Sequence, residues 1–347
     1  MPTFSGDQLQ TIASRILQGA GVSAKEAEIV AIELAGANLV GHDSHGVIRL
    51  KQYCDYVTDG TIQPGAPIEV ITDLPGCAVI DGNYNFGQVI AAKALELASE
   101  RARERGMYSV WCRHCNHFGR LGAFTHRAAL DGFAALLAVN GPAGGGVVPW
   151  GGLERRLGTN PISMAAPWND DAILLDMTTS ATAEGKLRVA FQKGESVPEG
   201  WVIDSEGNPS TDPGAYYADP QGAIVPLGGA MGHKGYGLSV MLDVFCGILS
   251  GAGIARRDLP PGVNGVWLVL IDVNQMMPSA DYAGWIEKYA EWIKGCRKAP
   301  GVEEILLPGE VETRRQNERK ASGVEIPDTT WKQTTDLAEK LGVSLDV

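Results

Sequence analysis

Apolar residues recur at helical spacing through residues 5–20, where Leu9, Ile12, Ile16 and Leu17 share one face, and again through 24–40. Ser23 precedes the second run and Glu26 follows three residues later, the spacing of a capping box. The pattern predicts a third helix over 44–58, before Pro64 and Pro67 interrupt. From about residue 68 short apolar runs alternate with helical ones. Strands are predicted at 77–82, 107–112, 133–140, 172–177 and 266–273. Helices are predicted at 89–106, 119–131, 181–192, 234–250 and 279–296, the first ended by Gly106. A charged helix over 308–320 and a last one over 328–342 follow. Residues 193–230, rich in Gly, Pro and Asp, read as a long irregular excursion.

Helices therefore dominate both ends, and strands alternate with helices between them. The expected architecture is α/β. A central domain over 68–310 carries the sheet, and the segments 1–67 and 311–347 pack together as a helical unit. No internal repeat is evident.

Composition narrows the function classes. The 347 residues exceed what one compact core holds, and 44% hydrophobic with 20% charged residues is ordinary for a globular enzyme. The formal charge of −12 argues against nucleic acid and anionic membrane surfaces as partners. No run of apolar residues is long enough to span a bilayer, and the first residues lack the basic-then-apolar order of a signal peptide. The six cysteines are sparse and irregularly spaced, as expected of reduced thiols in a cytoplasm.

Several common chemistries lose support. No G-x-G-x-x-G follows a strand, and the closest run, 141–152, has the wrong spacing. Walker A, G-x-S-x-G and H-E-x-x-H sequences are also missing.

Five segments could carry chemistry. GHDSHGVIRL (41–50) brings together a histidine for proton transfer, His45, and a guanidinium that can clamp a carboxylate, Arg49. Four residues apart, they would share a face of the expected helix; a capped helix start explains the segment equally well. In WCRHCNHFGRLG (111–122), Cys112, His114, Cys115 and His117 resemble half of a zinc site, but a second ligand pair is missing. Alternatively, the strand end turns Asn116, His117 and the backbone after Gly119 toward a ligand. RRLGTNPISMAAP (155–167) presents Thr159 in a turn leading into a strand. LLDMTTSATAEGK (174–186) ends a buried strand in Asp176, and its hydroxyls then lead into a helix start suited to an anion or simply well capped. In MGHKGYGLSVMLDVF (231–245), His233 and Lys234 open an apolar helix.

In this order the segments resemble the malate/L-lactate dehydrogenase family, whose members lack the Rossmann fold and include ureidoglycolate, sulfolactate, 2,3-diketogulonate and piperideine-2-carboxylate enzymes. The resemblance covers residues 5–320 and rests on H-x-S-H-G-V-x-R, N-H-F-G, G-T-N-P, D-M-x-T-S, the K-G-x-G-L helix start and Pro308-Gly309-Glu310. It implies a non-Rossmann mixed-sheet domain holding NAD or NADP, and a homodimer with its active site near the subunit interface. The acidic charge tilts the coenzyme toward NAD. By position, His45 is the implied proton donor, with Ser44 as its orienting neighbour. Arg49 and Thr159 are the implied contacts of a small anionic carboxylate. The implied coenzyme contacts are His117, Phe118, Gly119, Arg120, Leu121, Asp176, Met177, Thr178, Thr179, Ser180, His233, Lys234, Pro308, Gly309 and Glu310. In some members the histidine matching His117 is the acid/base instead, and Asp176 is the first choice for a carboxylate that orients the imidazole.

The expected reaction is hydride transfer between NAD(P)H and the 2-carbon of a 2-oxo or 2-hydroxy acid, or reduction of a cyclic imino acid by the same parts. Two other classes stand beside it. One is a metal-binding protein using Cys112, His114, Cys115 and His117. The other is a hydrolase using Ser44, His45 and Asp176, disfavoured because neighbouring residues on a helix point about 100° apart.

Overall fold

A computed structural model describes residues 1–141, 145–256 and 263–346. Part of the glycine run over 141–152 lies outside them. Seven strands form the central sheet in the order Glu69–Leu74, Cys77–Asp81, Met107–Cys115, Asn264–Asp272, Phe133–Asn140, Ile162–Trp168 and Asp171–Met177. One neighbouring pair, Cys77–Asp81 with Met107–Cys115, is parallel, and the other pairs are antiparallel. The sheet is thus mixed, and the run of parallel strands that defines a Rossmann domain is not built.

The parallel pair needs a crossover, and the helix Gly87–Arg105 supplies it. Ala91, Ala94, Ala98 and Ala102 on its buried face, beside Ile90 and Leu95, are small enough to bring the helix close to the sheet. Gly106, at φ 84°, ends it by donating its N–H to the Ala102 carbonyl. The helix Leu121–Leu130 covers the same layer, and Phe118, Leu121, Phe124 and Ala128 join the sheet's core.

A second core gathers both terminal segments. Leu9, Ile12, Ile16 and Leu17 of helix Gly6–Gly19 meet Val324, Ile326, Leu337 and Ala338. Thr3–Phe4 also pairs with Val324–Glu325. Phe86 and Val89, at the start of the crossover helix, join this core and tie it to the sheet domain.

Several sequence expectations are corrected. The stretch 44–58 is not one helix: two single turns, Asp43–His45 and Val47–Arg49, precede the helix Leu50–Thr58. Gly46 between them is extended (φ −87°, ψ −153°), so His45 and Arg49 do not lie on a common helical face. The Ser23 hydroxyl accepts from Glu26 N–H, but the Glu26 carboxylate bonds Gly65 N–H and Asn85 instead of closing a capping box. A complete box stands earlier, at Ser5 and Gln8. The excursion 193–230 holds a small sheet of two-residue strands, Val202–Ile203, Pro209–Ser210 and Ala223–Ile224. The helix expected over 234–250 becomes π-helical at Asp243–Ile248.

Gly87 is where the crossover helix touches the strand end bearing His117. A Cβ there would sit 2.5 Å from the His117 carbonyl oxygen, 2.6 Å from that of Asn116 and 2.7 Å from Phe118 Cα. These are backbone atoms and cannot step aside cheaply. Gly87→Ala is expected to lower stability by about 1–3 kcal/mol, read from the urea midpoint.

Candidate functional site

One cavity of about 1090 Å³ lies between the sheet domain and the terminal helices. Ser44, His45, the whole run His117–Leu121, Thr159, Asp176, Met177, Thr178 and Ser180 line it. The segments singled out in the sequence thus converge on one space. Arg49, Thr179, His233, Lys234 and Pro308–Glu310 are not in its wall. Thr179 points inward, its hydroxyl donating to the Thr159 and Asn160 carbonyls at 3.1 and 3.0 Å. The 308–310 run lies against the strand that carries Asp176, where Leu174 N–H donates to the Pro308 carbonyl at 2.9 Å.

The turn bearing Ser44 and His45 is shaped by Asn38. Its amide nitrogen donates to Asp43 at 2.7 Å, and its oxygen accepts Val47 N–H at 2.9 Å. A Cβ on Gly46 would lie 2.2 Å from that oxygen, so only glycine lets the chain pass so close. Residues far along the sequence secure the turn's outer side: Arg319 grips Asp43 at 2.7 and 3.0 Å, and Glu312 faces His42 at 3.5 Å.

Because this segment is not α-helical, the separation expected of neighbouring side chains does not apply. Ser44 Oγ lies 3.1 Å from His45 Nδ1, a hydrogen bond that the sequence reading had disfavoured. Arg49 donates through Nε to the Ser44 carbonyl at 2.7 Å and through Nη1 to Gln52 at 2.8 Å. Neither bond uses Nη2.

The His117 ring stacks on that of His45, with centroids 5.5 Å apart and planes 18° apart. His117 Nδ1 lies 2.7 Å from the Tyr53 hydroxyl, which also accepts from Gln88 Nε2 at 2.7 Å. Burial drives both imidazoles toward neutrality, helped by the nearby Arg49 charge: His45 is lowered to about 3, and His117 well below its ordinary value. Burial raises the Tyr53 phenol to about 12.

Asp176 does not orient an imidazole. Its carboxylate accepts Gly122 N–H at 2.8 Å, in the first turn of helix Leu121–Leu130, and faces Arg120 Nε at 3.6 Å. Burial raises its pKa, while Arg120 and the Gly122 N–H oppose the rise. Among the described residues the buried Arg120 Nε finds no hydrogen-bond partner, only the longer approach of Asp176. The Thr178 and Ser180 hydroxyls donate to the Ser180 and Thr182 carbonyls, and the next helix starts only at Glu184. They close a turn and do not form the anion-binding helix start that the sequence suggested.

The rival readings lack geometry. Cys112 and Cys115 are core residues, His114 bonds Asp81 at 2.9 Å, and His117 turns to Tyr53. Among the described residues, no three His, Cys, Asp or Glu side chains gather as metal ligands. Asp176 is engaged by Gly122 and Arg120, so it does not complete a hydrolytic triad with Ser44 and His45. The sequence reading missed Tyr53 and Gln88. Each is a polar group on an otherwise apolar buried face, between Leu50 and Cys54 and between Phe86 and Val89, and that interruption is the available signal.

A family model described as malate/L-lactate dehydrogenase matches residues 4–335. The chain is 38% identical to a malate dehydrogenase of Pyrococcus horikoshii over 346 residues, covering 97% of this chain and 95% of that protein. It is 34% identical to an L-sulfolactate dehydrogenase of Methanothermobacter thermautotrophicus, covering 99% and 98% of the two. The solved structure of the Pyrococcus horikoshii malate dehydrogenase superposes with a TM-score of 0.90 at 35% identity, covering 99% of this chain and 96% of that one.

The buried imidazoles make stability depend on pH. Below the ordinary value of 6.5 the unfolded chain binds protons that folded His45 and His117 refuse. Their effect therefore lowers stability progressively as pH falls from 6.5 toward about 3. Urea midpoints measured from about pH 7 down to about pH 4 should fall more steeply for the wild type than for His45→Gln. Equal slopes would show that the His45 ring is not desolvated.

Proposed function

The chain belongs to the malate/L-lactate dehydrogenase family, and from that premise we propose how the cavity works. The protein is an NAD(P)-dependent oxidoreductase of a small 2-oxo or 2-hydroxy acid. The nicotinamide coenzyme, when bound, supplies or accepts the hydride, which no side chain can deliver. The cavity suits such a group: it is large enough for a dinucleotide beside a small acid, and the Arg120 side chain on its wall brings a positive charge toward an anionic ligand. The candidate coenzyme contacts on its wall are His117–Leu121, Asp176, Met177, Thr178 and Ser180. The net charge of −12 favours NAD over the coenzyme with the additional phosphate.

In oxidation the neutral His45 ring accepts the proton leaving the 2-hydroxyl; in reduction the ring first takes a proton from solvent and, as the imidazolium, passes it to the oxygen forming on the 2-carbon. Ser44 Oγ holds the ring by Nδ1. Thr159 lines the cavity beside the substrate carboxylate, and Arg49, which Ser44 and Gln52 hold behind the wall, must swing its Nη2 inward to clamp that group. The observation that carries this reading is the pair of desolvated imidazoles facing a cavity that also holds a buried arginine. Burial matters because a neutral ring near the reacting oxygen takes up charge only as the oxygen's own charge changes.

A homodimer fits the exposed Trp285, Tyr289 and Trp292, which line one face of helix Ser279–Lys294 and which a second copy could cover. Six unpaired cysteines suit a reducing cytoplasm. No described helix is long and apolar enough to cross a membrane.

The reading is tested by following nicotinamide absorbance with NADH and with NADPH. The panel is oxaloacetate, pyruvate, sulfopyruvate, 2-oxoglutarate, 2,3-diketogulonate and piperideine-2-carboxylate. Turnover of an acyclic 2-oxo acid, faster with NADH, is expected; turnover confined to the cyclic imine would reassign the substrate class. His45→Ala should lose on the order of 10²- to 10⁴-fold in kcat with coenzyme affinity nearly unchanged by calorimetry. Undiminished activity in that variant, with His117→Ala inactive, would move the proton-transfer role to His117.

A further inference from the structure

Two histidines face one cavity, and the hydrogen bonds behind them differ. His45 leans on the hydroxyl of its neighbour in the same half-buried turn, Ser44. Behind His117 lies a buried chain: Gln88 Nε2 to Tyr53 Oη at 2.7 Å, then Tyr53 Oη to His117 Nδ1 at 2.7 Å. Tyr53 and Gln88 are fully buried, so no water competes for these contacts.

A phenol has one proton to give. Because the Tyr53 oxygen accepts from the Gln88 amide, its proton is directed to the other partner, His117 Nδ1. A neutral imidazole that accepts at Nδ1 carries its own proton on Nε2, at the opposite edge of the ring. We propose that Tyr53 and Gln88 are positioning residues that fix the tautomer of His117, so that it presents an Nε2–H donor at the cavity and holds the substrate's carbonyl oxygen while His45 exchanges the proton. The inference rests on the reading of the cavity given above and deepens it, dividing between two rings a task that the sequence left to one or the other.

The amide's orientation supports this direction. Among the described residues the buried Gln88 Oε1 finds no hydrogen-bond partner. Turning the amide over would satisfy the oxygen through Tyr53 and strand a buried N–H instead, and orphaned donors are rarer in proteins than under-satisfied carbonyls. The group hydrogen-bonded behind His117 is a phenol, not a carboxylate. Behind a ring that must ionise, a carboxylate is useful; behind a ring that must stay neutral and donate, a neutral phenol serves better. Burial, which keeps His117 neutral and Tyr53 protonated, acts in the same sense.

The test is ¹⁵N–¹H correlation of the histidine rings in the coenzyme-free protein, with the His117 signals assigned by their loss in His117→Ala. The wild type should show the Nε2–H pattern, with Nδ1 shifted as an unprotonated acceptor. Tyr53→Phe should mix the two tautomers and lower kcat on the order of tenfold or more, a larger change than in KM for the coenzyme. Gln88→Met, which keeps the side chain's bulk but removes the donor, should do the same more weakly; it serves as the second probe if Tyr53→Phe does not fold. A wild-type Nδ1–H pattern would overturn the proposal, as would a Tyr53→Phe variant with an unaltered tautomer and full activity. Full activity in His117→Ala would instead overturn the placement of His117 at the substrate, whichever tautomer the spectra report.

Discussion

The contact on which the site depends is backbone against backbone: the first turn of the crossover helix Gly87–Arg105 meets the chain at 116–118 with no room for a side chain between them. A parallel strand pair demands a crossover, and the crossover must return close to the strand ends. Here that closeness does more than cover the sheet. It delivers Gln88 to Tyr53 and Tyr53 to His117, and it lets Asn116 bond the Thr61 and Tyr84 carbonyls at 3.0 and 2.7 Å. The two cores of the molecule are thus joined at the residue that faces the cavity.

Within the cavity, desolvation outweighs charge pairing. Asp176 and Arg120 lie side by side, yet burial moves both toward their neutral forms, the carboxyl upward and the guanidinium downward. Their separation of 3.6 Å is too long for a good hydrogen bond, so the pairing returns little of what burial costs.

Much of this was legible in the sequence, for reasons that differ by element. The long apolar strands and the alanine-faced crossover helix declared themselves because their periodicity follows from burial on one face. The strand Glu69–Leu74 did not, because all six of its residues are exposed and no alternation marks it. The strands inside 193–230 are two residues long, shorter than any period. The helix expected over 44–58 failed at Gly46, where the approach of Asn38 from another helix overrode local spacing. The same contact made the Ser44–His45 bond possible. The chemical groups at 44–45, 117–121, 159 and 176–180 were readable as residue types, and the structure gathers all but Thr179 around one space. Tyr53 and Gln88 were not readable, because a buried hydroxyl or amide has meaning only through its partner, 64 residues away for the Tyr53–His117 bond.

The grip of Arg319 on Asp43 spans 276 residues of chain. During synthesis the turn bearing Ser44 and His45 leaves the ribosome long before its anchor exists, and the core around Leu9 and Ile16 waits equally long for Leu337 and Ala338. Non-local closures of this kind are slow to form and leave apolar surface uncovered meanwhile. The nascent polypeptide therefore passes most of its translation as an unfinished fold with a dormant pocket. In a cell, the helper proteins that shelter exposed apolar segments on emerging chains would set how much of it matures.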